Sequence, residues 1–220
     1  MSGDSTGICL QARGLAHRWP GADGNSFGPL DLEVPAGGLC LLLGPNGSGK
    51  TSLLLRLAGL TQGPGRLCFD GVECTPKTWK RLQPSVGFLW ANPDDGLLLP
   101  LVWEDVALGP CNDGLPQKEA KEVALHWLQV LGLGALARRP VRSLSLGQRQ
   151  KVALAGVLAR APRLLLLDEP LSHLDEASRL EVLEVLSACK ATCVAATHEA
   201  ALWQRRGEVQ ALRLGEPLNA

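Results

Sequence analysis

The chain has 220 residues, 45% of them hydrophobic and 20% charged, which is enough apolar material for one folded domain. Twenty-two Lys and Arg residues balance 22 Asp and Glu residues, so the formal net charge is zero. This balance argues against a protein whose main task is to bind nucleic acid through phosphate neutralisation. The polar first residues lack the order of a secretory signal, and the longest apolar runs fall far short of a membrane span. We therefore expect any membrane role to depend on a partner protein.

The pattern along the chain predicts an α/β fold. Residues 8–37 and 65–70 are expected to form a small antiparallel flank of short strands. Apolar runs without polar alternation indicate strands buried on both faces of a parallel sheet, and helical patterns lie between them. The predicted strands are Leu39–Leu43, Val86–Leu89, Leu164–Leu167, Thr192–Ala196 and Val209–Leu214, and the predicted helices are Lys50–Gly59, Pro116–Leu131, Ser145–Arg160, Ala177–Cys189 and Glu199–Arg206.

Residues 1–220 are expected to form a single domain. Its core would comprise about residues 1–91 and 154–220. Residues from about 92 to 153 contain loop and helix signals only and are bracketed by core strands, which predicts an inserted helical subdomain.

A phosphate-binding loop is predicted at Gly44–Thr51, where the sequence matches the pattern GxxxxGK[ST] completely. Glycines allow backbone N–H groups to point at phosphate oxygens, and the following helix adds positive potential at its amino terminus. Lys50 would reach the β- and γ-phosphates, and the Thr51 hydroxyl would ligate Mg²⁺. The alternative is a glycine-rich turn that binds nothing, which a buried strand before the loop and a helix after it disfavour. The predicted nucleotide-binding residues here are Gly44, Pro45, Asn46, Gly47, Ser48, Gly49, Lys50, Thr51 and Ser52.

Two carboxylates end a later apolar strand, at Asp168 and Glu169. The carboxyl end of a buried parallel strand lies at the sheet edge where such a loop binds its ligand. Asp168 can hold Mg²⁺ there, and Glu169 can polarise the attacking water as general base. A solvated acidic strand end is the alternative, and without the phosphate loop it would be preferred.

The segment Leu144–Gln148, sequence LSLGQ, precedes a predicted helix. Ser145 and Gly147 at a helix amino terminus would offer one hydroxyl and exposed N–H groups to an anion. An ordinary serine cap on a core helix is the alternative, and these five residues alone favour that alternative.

The order of these motifs resembles that of the ABC transporter ATPase family over nearly the whole chain, from about residue 8 to 214. The resemblance implies a P-loop NTPase (RecA-like) core with a small antiparallel β flank and an inserted helical subdomain. It also implies ATP and Mg²⁺ as ligands and two ATPase subunits bound head to tail. Ser145, Gly147 and Gln148 would then complete the γ-phosphate site of the partner. Asp175, in Ser172–Asp175, would lie at the dimer seam, and His198, in Ala196–His198, would contact the γ-phosphate and hold Glu169 and the water.

The adenine ring needs a face on which to stack. The family usually places an aromatic residue in the early antiparallel flank, and Trp19 occupies the equivalent position. Packing of Trp19 in the core is the alternative.

Two positions depart from the family pattern. Ala91 stands where the family has a glutamine that helps to ligate Mg²⁺ and relays contact with the membrane subunit, and Leu146 replaces the first glycine of the LSxGQ pattern. Glu169 and His198 are present, so we expect hydrolysis to survive.

A second resemblance concerns Asn92–Asp95 followed by Trp103–Pro110, which is similar to the ATPases of energy-coupling-factor importers for cobalt, nickel or vitamins. Gly96 replaces the usual glutamine after the two aspartates. The apolar run Leu97–Trp103 is predicted either to line the groove that receives a membrane subunit or to be buried within the helical subdomain.

These features predict the ATP-hydrolysing subunit of an ABC transporter, which powers a separate integral membrane subunit and pairs with a second copy or a paralogue. Its expected location is the cytoplasmic face of the membrane, its expected process is import of a metal ion or vitamin, and no nucleic acid partner is expected. A regulatory or weakly hydrolysing partner ATPase and a soluble ABC-type ATPase acting on DNA or ribosomes remain alternatives. The second usually carries coiled-coil insertions or a second cassette, which this chain lacks.

Overall fold

The computed structural model describes residues 7–18, 26–203 and 209–215. They fall into two compact units. The sheet unit contains the described residues of Asp4–Phe88, Arg163–Glu169 and Lys190–Ala220, and the helical unit contains Leu89–Pro162 and Pro170–Cys189.

The strands form two sheets of opposite character. The antiparallel sheet has the order β2-β1-β4-β5, and the other sheet has the order β6-β7-β8-β3-β9, with parallel pairing of β7 to β8, β8 to β3 and β3 to β9. The antiparallel flank and the parallel sheet that the sequence predicts are therefore both confirmed. The strands are β1 (Leu10–Arg18), β2 (Ser26–Val34), β3 (Leu39–Leu43), β4 (Arg66–Phe69), β5 (Val72–Glu73), β6 (Val86–Leu89), β7 (Leu164–Asp168), β8 (Thr192–Ala196) and β9 (Val209–Arg213).

The central strands carry apolar side chains on both faces. Every residue of β7 and of β8 is buried, as expected for a parallel sheet covered on both sides. Alternate residues of the parallel strands share one core with the antiparallel sheet and with helix α1 (Lys50–Leu57). The core of the sheet unit includes Leu10, Phe69, Leu42, Leu53, Leu57, Leu164, Leu166 and Val194. This packing fixes the carboxyl ends of β3, β7 and β8 beside the amino terminus of α1.

The helical unit contains helices α3 (Val102–Asn112), α4 (Gln117–Val130), α5 (Leu146–Ala159) and α6 (Glu176–Ala188). The first three contact one another. Their buried side chains include Val106 of α3, Ala124 and Leu128 of α4 and Ala155 of α5. Gly109 lies against the side-chain stem of Arg160, where an added Cβ would come within 2.6 Å of its Cγ.

Helix α3 was not predicted. The run Leu97–Trp103 divides between two environments, because Val102 is buried whereas Leu98 is 72% exposed. Burial within the helical unit therefore applies to Val102 but not to Leu98, and contact of this run with a membrane subunit stays a prediction. Helix α2 (Pro76–Leu82) was also missed, although Thr75 forms a capping box with Thr78 at its start.

The remaining helix bounds differ by a few residues from the prediction. Ser145 and Pro116 cap α5 and α4 from outside the helices, and α1 ends at Leu57. The predicted helix Glu199–Arg206 corresponds to α7 (Ala200–Trp203), and its last residues lie outside the described part of the chain. Within the described residues, no helix has the length and apolar character needed to cross a bilayer.

Candidate active site

The loop Gly44–Thr51 connects β3 to α1 and is shaped by three glycines. Gly44, Gly47 and Gly49 have positive φ angles of 147°, 80° and 94°, a region that side chains disfavour. A Cβ at Gly44 would also collide with the Leu214 carbonyl, and one at Gly49 would lie 3.1 Å from Cβ of Phe27. The loop is therefore held in a tight curl that only glycine permits at these positions.

Lys50 closes this curl from the first residue of α1. Its ammonium donates to the carbonyl oxygens of Gly44 at 2.8 Å and Pro45 at 3.0 Å. Lys50 is only 7% exposed, so its charge lies in low-dielectric surroundings. These two bonds leave one of the three ammonium donors for a phosphate oxygen.

Thr51 and Asp168 meet across the end of the sheet. The Thr51 hydroxyl donates to Oδ2 of Asp168 at 2.7 Å. Asp168 is 4% exposed, and burial raises the pKa of its carboxyl group, while the Thr51 hydrogen bond and the Lys50 charge act in the opposite direction. A buried carboxylate and a hydroxyl are hard oxygen donors of the kind that Mg²⁺ prefers, usually with substrate phosphates and waters as its other ligands. The two side chains therefore fit a Mg²⁺ site.

Glu169 follows β7 with a left-handed φ of 46°, and its N–H donates to the Ala196 carbonyl at 3.0 Å. Its Oε1 lies 3.3 Å from Nε2 of His198, and that nitrogen also lies 3.1 Å from Oδ1 of Asn46 in the phosphate loop. Burial raises the pKa of Glu169, and the contact with His198 is the largest opposing influence. The structure thus brings the phosphate loop, both carboxylates and the histidine together in the sheet unit.

The LSLGQ segment has a different setting, at the start of α5 in the helical unit. Ser145 caps α5 by accepting from the Gln148 N–H at 3.2 Å, and Oε1 of Gln148 accepts from the Ser145 N–H at 3.0 Å. Gly147 is required because a Cβ there would lie 2.6 Å from the His173 carbonyl oxygen.

Asp175 caps α6 in the same helical unit. Its Oδ1 accepts from the Ser178 N–H at 2.8 Å, and this hydrogen bond lowers the pKa of the Asp175 carboxyl group. Its carboxylate is also exposed at the surface.

The predicted site residues thus form two sets. The sheet unit holds residues 44–52, Asp168, Glu169 and His198, and the helical unit holds Ser145, Gly147, Gln148 and Asp175. The predicted adenine-stacking residue, Trp19, lies outside the described residues. Ala91 follows β6 and is partly buried.

One ion pair beside the LSLGQ segment is not indicated by the sequence. Nη1 of Arg149, in α5, lies 2.7 and 2.8 Å from the two carboxylate oxygens of Asp94. The two residues are 55 positions apart, so no local pattern indicates the pairing.

Comparison with known proteins identifies the family. The family model described as "ABC transporter" matches residues 27–172, which include the phosphate loop, the LSLGQ segment and both carboxylates. The chain therefore belongs to the ABC transporter family, as the resemblance of its motifs predicted.

Individual relatives agree with this assignment. A Streptomyces avermitilis chain that carries the name of an ABC transporter ATP-binding protein is 40% identical over 191 residues, 86% of this chain and 72% of that one. The energy-coupling factor transporter ATP-binding protein EcfA of Methanosphaera stadtmanae is 34% identical over 197 residues, 86% of this chain and 70% of EcfA.

Among solved structures, cbiO1 from Clostridium perfringens, part of the ABC transporter complex cbiONQ, superimposes with a TM-score of 0.79. It is 27% identical, and the match covers 94% of this chain and 87% of cbiO1. The predicted fold class, an α/β P-loop NTPase with a small antiparallel flank and a helical region, is confirmed, and the chain is an ABC ATPase by family.

Proposed function

We propose that this chain is the ATP-hydrolysing motor subunit of an ABC transporter. The observation that carries the proposal is the joint placement of Lys50, Thr51, Asp168, Glu169 and His198 around one glycine-rich curl. That arrangement holds phosphate-binding, metal-binding and proton-accepting groups within one unit of the molecule.

Each of these residues has a distinct task in the proposed reaction. Lys50 and the loop N–H groups bind the phosphates of ATP, and Thr51 and Asp168 hold Mg²⁺. When bound, Mg²⁺ neutralises charge on the β- and γ-phosphate oxygens. Glu169 accepts the proton of the water that attacks the γ-phosphorus, and the bond from phosphorus to the bridging oxygen of ADP breaks.

His198 is proposed to position this general base. Its Nε2 contacts both Glu169 at 3.3 Å and Asn46 at 3.1 Å, so one imidazole links the base to the phosphate loop. Burial raises the pKa of Glu169, which moves it toward the range where a carboxylate is an effective base near neutral pH. The charge of His198 acts on the pKa of Glu169 in the opposite direction.

The second half of the site is proposed to come from another ATPase chain. Ser145, Gln148 and Gly147 form a capped helix amino terminus that suits a phosphate, yet their own unit contains no phosphate loop. Head-to-tail pairing would supply each nucleotide with the loop of one chain and the LSLGQ segment of the other. Asp175 would then lie at the seam, and Trp19 would stack on the adenine.

We further propose that the partner subunit spans the membrane and that this chain binds it peripherally from the cytoplasmic side. The Asn92–Asp95 turn is the proposed contact, by its similarity to the ATPases of energy-coupling-factor importers. The resemblance to EcfA and to cbiO1 supports import of a metal ion or vitamin as the process powered.

One observation favours a second candidate, a regulatory partner that hydrolyses ATP weakly. Ala91 presents only a methyl group where the family has its Mg²⁺-contacting glutamine. Such a chain would still bind ATP through the same loop.

Steady-state phosphate release, measured with and without Glu169→Gln, tests the proposal. Glutamine keeps the size of the side chain but accepts no proton, so turnover should fall about 10²–10⁴-fold. ATP affinity should stay unchanged, because Lys50, Thr51 and Asp168 remain. Background turnover in the parent would favour the regulatory candidate, and rapid turnover in Glu169→Gln would place the base elsewhere.

A further inference from the structure

Asp94 and Arg149 form an ion pair that the proposed reaction does not use. Nη1 of Arg149 contacts both carboxylate oxygens of Asp94, at 2.7 and 2.8 Å. The Arg149 side chain is only 26% exposed, whereas that of Asp94 is 47% exposed. The pair is therefore better shielded from water than a typical surface ion pair.

Both partners are fixed by their own local structure. Asp94 lies in a 3₁₀ turn, Pro93–Asp95, that Asn92 caps through the Asp94 N–H, and Pro93 is buried. Arg149 lies directly after the LSLGQ segment, and its N–H donates to the Ser145 carbonyl at 2.9 Å. The ion pair thus links the capped turn Pro93–Asp95 to the first turn of α5, which Ser145 and Gln148 cap.

The charge of Arg149 makes an anionic partner favourable at this position. The amino terminus of a helix carries partial positive charge, and α5 has no acidic residue in its first turn. A cation so close to that terminus is disfavoured unless an anion from elsewhere offsets it. Asp94 supplies that anion from a different element.

Neighbouring contacts fix the same end of α5 on its other sides. Lys151 pairs with Glu181 of α6 at 2.8 Å, and Gly147 fits closely against the His173 carbonyl, two residues before Asp175. The Asp94–Arg149 pair extends this framework to the Asn92–Asp95 turn.

We propose that the Asp94–Arg149 pair is a positioning contact that holds the first turn of α5 in the orientation needed to bind the nucleotide of a second chain. This inference rests on the proposed function, because it assumes that Ser145 and Gln148 face a nucleotide held by the partner.

Charge reversal and charge exchange test the pair. The single variants are Asp94→Arg and Arg149→Asp, and the double variant exchanges the two charges. Hydrogen exchange of the backbone amides at positions 148 and 149 in the monomer should accelerate about tenfold in each single variant and return to within about threefold of the parent in the exchange variant.

Dimerisation provides the functional measurement. With Mg²⁺ and a non-hydrolysable ATP analogue, sedimentation equilibrium should show about tenfold weaker dimerisation in each single variant and recovery in the exchange variant. Analogue binding to monomer should stay within about twofold, because the phosphate loop is untouched. Asp113→Arg is the matched control, since Asp113 pairs with Arg160 at the opposite end of α5 at 2.8 Å.

The outcomes separate this inference from the proposed function. A parent that stays monomeric contradicts the pairing of two copies of this chain and, with it, the role of Asp94 and Arg149 in that pair. If the parent and both single variants dimerise equally well, the proposed role of the ion pair is contradicted, whereas the proposed pairing of two chains is not. The inference is overturned if dimerisation does not recover in the exchange variant, or if Asp113→Arg weakens dimerisation equally. Either result would mean that the pair contributes only to general stability.

Discussion

The chemistry proposed for single residues depends on charges held out of water at one sheet edge. Lys50 and Asp168 are both largely buried. Electrostatic interactions in such surroundings are stronger than at the surface, so each change here should have a large effect on nucleotide binding.

Lys50→Ala should weaken ATP binding roughly a hundredfold, because a charge-assisted phosphate contact is lost and the loop carbonyls of Gly44 and Pro45 lose their donor. Titration calorimetry with Mg²⁺ and ATP measures the change. Lys77→Ala, at an exposed position in α2, is the control and should bind as the parent does. Unchanged affinity in Lys50→Ala would contradict the assignment of the phosphate loop.

Asp168→Asn should make the nucleotide-free protein more stable at neutral pH. Burial raises the pKa of Asp168 in the folded state, so the folded protein binds the proton more tightly than the unfolded chain. The folded parent therefore loses stability as the pH rises from the ordinary aspartate pKa through the raised pKa of Asp168. Asparagine avoids this loss, because it stays uncharged and still accepts the hydrogen bond from the Thr51 hydroxyl.

The difference between Asp168→Asn and the parent should therefore vanish in acid, below the ordinary aspartate pKa, where both side chains are uncharged. Urea unfolding across pH measures it. The same variant should bind Mg²⁺ and ATP more weakly. A stability difference that is independent of pH would mean that desolvation of the Asp168 charge is not its cause.

The sequence was informative about individual site residues where their spacing is local. Gly44–Thr51 and the Asp168–Glu169 pair follow from short motifs next to apolar strands. The contact of His198 with Asn46 could not be derived, because 152 positions separate them and only the order of strands in the sheet brings them together. The pairing of Arg149 with Asp94 was missed because 55 positions separate the two residues.

At the level of elements, buried strands were predicted more accurately than helices of the helical unit. The bounds of β3, β6 and β8 match the prediction, because short and largely apolar runs of this kind are typical of strands buried on both faces of a sheet. Helix α3 was missed because Gly109 and Pro110 interrupt a helical pattern that is already short. Hydrogen bonds with the segment just before the helix support it instead: Asp105 accepts from the Leu98 and Leu99 N–H groups at 2.6 and 2.7 Å.

Two glycines in α5 should respond oppositely to the same substitution. Gly147→Ala should destabilise the protein by about 1–3 kcal/mol and impair ATP-dependent dimerisation, because its Cβ would meet the His173 carbonyl at 2.6 Å. Gly156→Ala should stabilise by up to about 1 kcal/mol, because its Cβ would lie an ordinary 3.9 Å from Val106 and alanine favours the helix.

Urea unfolding of the two variants measures both effects on one helix. Equal effects at the two positions would show that helix propensity dominates and that the close approach of α5 to His173 is relaxed in solution. A destabilised Gly147→Ala that still dimerises normally would separate stability from the proposed nucleotide contact.

At the scale of the whole molecule, the two sets of site residues lie in different compact units, and this division motivates the proposed dimer. The sheet unit carries the groups proposed to bind and hydrolyse ATP, whereas the helical unit carries a capped helix amino terminus with no phosphate loop of its own. Symmetric pairing of two chains would form two composite sites from one pair of surfaces.

Mixing two inactive variants tests this composite arrangement directly. Glu169→Gln removes the base from its own phosphate-loop site, and Ser145→Arg blocks the site of the opposite chain. In a mixed dimer, both lesions fall on one site and the other site is intact. An equimolar mixture should therefore recover up to about a quarter of the parent phosphate release, since about half of the dimers are mixed and each keeps one site.

The matched control mixes Glu169→Gln with Lys50→Ala. Both changes lie beside the same phosphate loop, so each chain of a mixed dimer has a defective loop site and no activity should return. Recovery in this control would indicate that the two chains complement each other through residues other than the LSLGQ segment.

If neither mixture recovers although the parent hydrolyses ATP, the two copies do not share sites, and pairing with a paralogous ATPase becomes the arrangement to test. Recovery in the first mixture alone is the result that head-to-tail pairing requires, because only then does Ser145 act on a nucleotide bound by another chain.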